Sequence, residues 1–454
     1  MTQRHLPRVL HFFDISVLSS ASMAPAYSLA STMGPMVVAA GVFAPFSLLA
    51  VCGIMLCIAI AYAQLSRVAP NAGSAYSWIR MAYGSYAGAY GAWLLILSNV
   101  FATMATAVPA GIYTLDLLAP AHAQNPIWSA VVGSIWIAGS ALLLYAGVRP
   151  TAIVTTVALA LEIGVLAVSA IVSMFLPHGG PVHPAPARDV NALAFSGAGF
   201  IYAMTLGVWM SDGWELSAAT SEETERDPTA AGRGGIAGLL LTAAILALAM
   251  FAYGHLGTLA GFKANQDDAM YYIAQLLGSP VWRPIILTTV LVSTSSALWT
   301  TILYLSRSVY AMGRDHVLPR TLGTLDKRDE PFWSLAATGL LVAALELLTG
   351  FSPSAADQLK LVLNGSSLFL GLLFAFSAAA AVRIFWRHER LRLTGVIVPA
   401  VGALTLLGVL AATVLFEDPA SKLYAAMGIL VGVPLALWRG WASRGRWQAS
   451  PPAT

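Results

Sequence analysis

The sequence predicts an all-α integral membrane protein with about twelve transmembrane helices, and three observations predict it. First, 58% of the 454 residues are hydrophobic and only 10% are charged. Soluble domains carry about 25% charged residues, so this chain cannot cover itself with a water-facing surface. Second, apolar runs long enough to cross a hydrocarbon core recur along the whole chain. Third, the basic residues are sorted. With an even number of spans and both termini on one side, nineteen of the 24 Lys and Arg fall on that side, among them Arg67, Arg149, Arg314 and Arg387. Only Arg188, Lys263, Arg283, Lys360 and Lys422 fall opposite. The positive-inside rule then places both termini in the cytoplasm. The formal charge of +3 is a topology signal, and no nucleic-acid partner is expected.

The runs, in order, are 12–33, 36–66, 86–118, 127–147, 150–176, 192–220, 234–260, 282–312, 332–350, 357–385, 394–416 and 422–440. Asp14 and several serines interrupt the first, so it does not read as a secretory signal. Cys52 and Cys57 share the second and read as packing residues rather than a disulfide. Asn99 in the third and Asn364 in the tenth are mid-span polar residues. They suit either a solute site or hydrogen bonds between helices. The longest segment facing outward, PHGGPVHPAPARDVN, reads as a surface loop and separates the first five spans from the next five.

Two spans are interrupted. The first carries Pro25 within Met23–Ser28, and the sixth reads GVWMSDGWE, with Gly207 and Gly213 around Ser211 and Asp212. In lipid an unpaired backbone amide is costly, so irregular backbone survives only against protein or a water-filled cavity. Interruptions at matching positions of two halves point to a transporter's solute site, where half-helix ends meet at mid-depth. Asp212 lies ten residues before Glu222, which begins a charged loop. That is roughly 15 Å, half of a hydrocarbon core of roughly 30 Å.

The loops carry a resemblance. RVAPNAGSAYSWIRMAYG, GWELSAATSEETERDP and SRSVYAMGRDHVLPRTLGTLDKRDEP follow in order across nearly the whole chain. They resemble motifs of the amino acid–polyamine–organocation transporter superfamily. The resemblance implies one permease domain over 1–454. A first repeat at about 12–176 and an inverted second repeat at about 192–385 would be followed by two further helices at about 394–440. It implies secondary active transport of an amino acid or related amine by alternating access across the cytoplasmic (inner) membrane. Arg67, Arg314, Asp315 and Arg320 would then form a cytoplasmic gate or charge network. The chain also departs from the pattern. Where relatives place Gly-Ser/Thr-Gly to hold a substrate carboxylate, it has Pro25-Ala26-Tyr27. Asp212 stands where a neutral or aromatic residue is usual, with Glu215 one turn on.

From these residues the solute site is expected to include Ser22, Ala26, Tyr27, Ser28, Ser211, Asp212 and Trp214, with Asn99 and Asn364. An amine paired to Asp212 and stacked on an aromatic ring would suit it. Glu215 has the alternative of capping the second half-helix. Glu162 lies roughly 18 Å into the fifth span, where a bare carboxylate is expensive, and is expected to exchange the coupling proton. In proton-coupled relatives the matching region often carries a lysine. The rival is sodium at Ser293, Thr294, Ser295 and Ser296, where sodium-coupled relatives bind it, and exchange without a coupling ion is the other alternative. No cofactor or metal is expected beyond the ion gradient. The histidines fall in loops or near span ends, which argues against a membrane-embedded enzyme. No filter-like repeat argues for a channel.

Overall fold

The computed structural model describes residues 5–182, 184–185, 194–225, 227–416 and 419–442. Among them the regular structure is helical, with one isolated bridge between Leu10 and Thr224. The helices are α1 Phe12–Ser22, α2 Pro25–Ala40, α3 Ala44–Val68, α4 Ser74–Tyr83, α5 Ser85–Leu118, α6 Pro126–Tyr145, α7 Val148–Phe175, α8 Gly197–Met210 and α9 Leu216–Ala219. They continue as α10 Ala230–Leu256, α11 Leu259–Ala264, α12 Ala269–Leu276, α13 Trp282–Arg314, α14 Phe332–Thr349, α15 Ala355–Phe385, α16 Val398–Phe416 and α17 Pro419–Ala442.

Nine stretches of the described residues are long and apolar enough to cross a membrane. Three places account for the difference from the twelve expected runs. Phe12–Val68 counts as one stretch of 57 residues, although it holds α1, α2 and α3. The sixth run is cut short at Met210, and the last contributes only the apolar helix Ala426–Ala442. Large apolar side chains such as Ile135, Leu142, Leu161, Leu248 and Leu404 are exposed on the long helices. A soluble protein does not leave that much apolar surface in water, whereas lipid covers it without cost. The chain is a multi-pass membrane protein.

The centre is built on α5 and α13, which pack on each other and are mostly buried along their length. Small residues let the backbones approach. At Gly111 the backbone of Ser129 on α6 leaves no room for a Cβ. Around this centre, α1 packs on α10 and α7, α2 on α8, and α15 on α5. The N-terminal segment folds back against the end of the sixth run, where Val9 and Leu10 amides donate to the Glu223 carbonyl. This contact marks the terminal face of the protein.

Both interruptions are present, at bounds that differ from expectation. The first is confined to Met23–Ala24, because Pro25 sits at the first helical position of α2, where its missing N–H costs nothing. Ala26, Tyr27 and Ser28 are therefore helical. Ala24 takes the strain, with a left-handed φ of 46°. The second interruption runs Ser211–Glu215, so Gly207 belongs to α8.

Candidate functional site

The two interruptions touch. Gly213 has φ +116°, and a Cβ there would lie 2.6 Å from the carbonyl carbon of Ser22 and 2.9 Å from the Met23 amide. Only glycine combines this conformation with so close an approach. Beside the contact lies a cavity lined by Ser22, Met23, Ala24 and Ser28 at and beside the first interruption, and by Trp209, Asp212, Gly213 and Glu215 at and beside the second. Helix α5 adds Ser98, Asn99, Ala102 and Thr106, α13 adds Thr301 and Tyr304, and α15 adds Leu370. Its open space is about 20 Å³, room for a single water.

The wall has a chemical sign. It holds two carboxyls, Asp212 and Glu215, and no Lys, Arg or His. The Glu215 carboxylate accepts from the Gly213 amide at 3.0 Å, so this acid also fastens the interruption. The indole N–H of Trp209 has no partner among the described residues.

Of the residues singled out from sequence, Ser22, Ser28, Asn99 and Asp212 line the cavity. Four others lie behind its wall. Ala26 turns its amide toward α7. Tyr27 is buried, with a hydroxyl that finds no hydrogen-bond partner among the described residues. The Ser211 hydroxyl donates to the Gly207 carbonyl and meets Cys52 Sγ at 3.4 Å. Trp214 is buried, stacked on Phe374 and edge-on to Tyr62. The side chain of Asn364 lies outside the described residues.

Lining residues that sequence reasoning passed over had a signal. Ser98, Ala102 and Thr106 recur at helical spacing beside Asn99, and Thr301 and Tyr304 sit one turn apart.

Glu162 is fully buried on α7. Its Oε1 accepts from the Ala26 amide at 2.6 Å and from the Ser293 hydroxyl at 2.6 Å. Its Oε2 has no partner among the described residues. The Tyr27 amide donates to Ser293 Oγ at 3.2 Å, which closes a small network between α2, α7 and α13. Ser293 is thus spoken for, while Thr294 and Ser295 donate to the Leu291 carbonyl and Ser296 to the Ser293 carbonyl. Among the described residues, no group of three or more His, Cys, Asp or Glu is placed to hold a metal ion.

The terminal face is closed by ion pairs. Arg314 makes two hydrogen bonds to Glu222, at 2.9 and 2.7 Å. Burial works against the Glu222 charge, yet the Arg314 bonds outweigh it and hold the carboxyl below its usual range. Asp315 accepts from the Tyr76 hydroxyl at 3.0 Å, whereas Arg67 and Arg320 are exposed. The centre of this closure is Arg307, which sequence reasoning placed only by its side of the membrane. It is fully buried and bridges Glu223 and Glu330.

On the opposite face, α11 and α12 pack over α2, and the backbone of Gln266 lies against Gly34. Asp268 caps α12 by accepting from the Tyr271 amide, and it also accepts from the Tyr113 hydroxyl, both at 2.9 Å.

The profile of a family described as amino acid permease matches residues 10–434. The chain is 25% identical over 302 residues to a branched-chain amino acid permease of Lactococcus lactis, a match covering 63% of this chain and 65% of that protein. It is 28% identical over 379 residues to uncharacterized transporters of Mycobacterium bovis and Mycobacterium tuberculosis, covering 81% of each chain.

Proposed function

The chain belongs to the amino acid permease family, and we propose that it is a secondary active transporter of an amino acid or related organic amine. It works by alternating access across the cytoplasmic membrane, with the terminal face inside. The fold this implies is a five-plus-five inverted repeat with two further helices. The relative from Lactococcus lactis, by its name, adds branched-chain amino acids to the candidates. One observation carries the reading. Two touching helix interruptions enclose a cavity with two carboxyls and no cationic side chain on its wall. A protonated amine entering it pairs with Asp212 and meets the aromatic faces of Trp209 and Tyr304 on the same wall, while the Trp209 indole N–H is left for an acceptor elsewhere on the solute.

The cavity opens to one side at a time. On the terminal face the Arg307 and Arg314 pairs must part before solute leaves, and on the other face α11 and α12 must lift from α2. Glu162 couples the cycle to a proton. Deprotonated, it holds the Ala26 amide and the Ser293 hydroxyl strongly; protonated, it holds them as a neutral acceptor and loosens α2 from α7. The Glu162–Ser293 bond supports the proton over sodium, because the first hydroxyl of the sodium alternative is already committed.

Uptake into liposomes tests this reading. With a pH gradient imposed and sodium absent, uptake of an amine or amino acid should follow the gradient, and Glu162→Gln should lose that dependence. Uptake that ignores the gradient, or a Gln variant that keeps its full response, removes Glu162 from coupling. Uptake that requires solute inside the liposome identifies an exchanger.

A further inference from the structure

The amides at the start of a half-helix are the natural place for a substrate carboxylate. In this chain none of those of α2 is free. Pro25 has no N–H. Ala26 donates to Glu162, Tyr27 to Ser293, and Ser28 to the Ala24 carbonyl at 2.7 Å. The chain has put its own carboxylate, Glu162, where an anion would otherwise sit. At the second interruption the Gly213 amide is likewise taken by Glu215.

The rest of the wall agrees. The hydroxyls of Ser28, Ser98, Thr106 and Thr301 all donate to carbonyls of the main chain. Their protons are spent, and what they turn toward the cavity is lone pairs. Asn99 also gives a proton to the Leu95 carbonyl. A ligand therefore meets mostly acceptors and two carboxyls, with the Trp209 indole, the Ser22 and Tyr304 hydroxyls and the second Asn99 N–H as the donors. A carboxylate in this cavity gains few donors and is repelled by Asp212 and Glu215.

We infer that the substrate is an organic amine that carries no carboxylate, and that Glu162 is the built-in counterpart of the group the substrate lacks. This rests on the transport reading above and narrows its substrate class.

The experiment uses the full-length protein in liposomes with matched pairs of solutes. Each pair is an amino acid and the amine left when its carboxylate is removed, such as leucine with isopentylamine and ornithine with putrescine. The amine of a pair should be taken up, and should compete for uptake, at least about tenfold better than its amino acid. Equal or better uptake of the amino acid overturns the inference and leaves transport standing. Uptake of neither member of any pair removes the transport reading and the inference with it. A second measurement addresses Glu162 directly. Acetate should raise the Tm of Glu162→Ala by refilling the vacated anion position, and should leave wild type unchanged. Glu162→Gln, which keeps an acceptor for Ala26, should not respond either. A folded Glu162→Ala protein indifferent to acetate overturns the assignment, and if that variant does not fold, the matched pairs still decide.

Discussion

The two helix interruptions lie against each other, yet they treat charge in opposite ways. The one at Met23–Ala24 is covered from within, its amides capped by Glu162, Ser293 and the Ala24 carbonyl. The one at Ser211–Glu215 turns two carboxyls to the cavity. The positive end of α2 is therefore largely neutralised before any solute arrives. The electrostatic character of the cavity comes from the second interruption alone. A fold built on two broken helices need not use both of them to recognise its ligand.

The largest expected effect breaks the contact between them. Gly213→Ala must force a Cβ into the Ser22–Met23 backbone at a φ that alanine resists. Strain and overpacking together should cost roughly 2–6 kcal/mol. A detergent-solubilised variant with wild-type Tm and uptake would show that the interruptions are not in rigid contact.

Next comes the charge asymmetry. Asp212→Asn keeps the shape and removes a charge, so it should weaken an amine by about 1.5–3 kcal/mol, or roughly ten- to a hundredfold. Competition assays read this directly, and unchanged affinity would take Asp212 out of recognition.

The smallest effect concerns the far end of α2, under the cover of α11 and α12. Burial pushes the Asp268 carboxyl up to about 6, and the bonds from Tyr271 and Tyr113 only partly oppose it. A raised carboxyl favours its protonated form in the folded cover. The stability it gives is complete below about pH 4 and is lost as pH rises through about 6. Wild type should lose on the order of 1 kcal/mol across that window relative to Asp268→Asn. Parallel Tm–pH curves for the two proteins would show that Asp268 does not titrate there.

How much of this was readable beforehand depends on what periodicity can carry. Composition and run length settle the membrane class, because lipid demands long apolar helices wherever the chain crosses. Pro25 and Gly213 mark the interruptions for steric reasons that are local and visible in sequence. What could not be read is rotation. Helical spacing tells which side chains share a face only while the helix continues. Past Met210 the chain leaves that register, and no rule chooses between Trp214 and Glu215 for the cavity wall. In the structure Trp214 turns away onto Phe374 and Glu215 turns inward. Nor does a sequence show that Glu162 meets Ala26, because 136 residues separate them and only packing joins them.

The tightness of the unfilled cavity bears on energy conservation in the cell. Protons cross membranes along continuous files of water, each molecule handing one to the next. A space of about 20 Å³ has room for about one water, so the site between the interruptions does not itself hold such a file. Arg307, sealed between two glutamates, closes one side with its charge already neutralised in place. On the proposed proton coupling, a site packed this tightly keeps idle copies in the membrane from draining the gradient that would drive them.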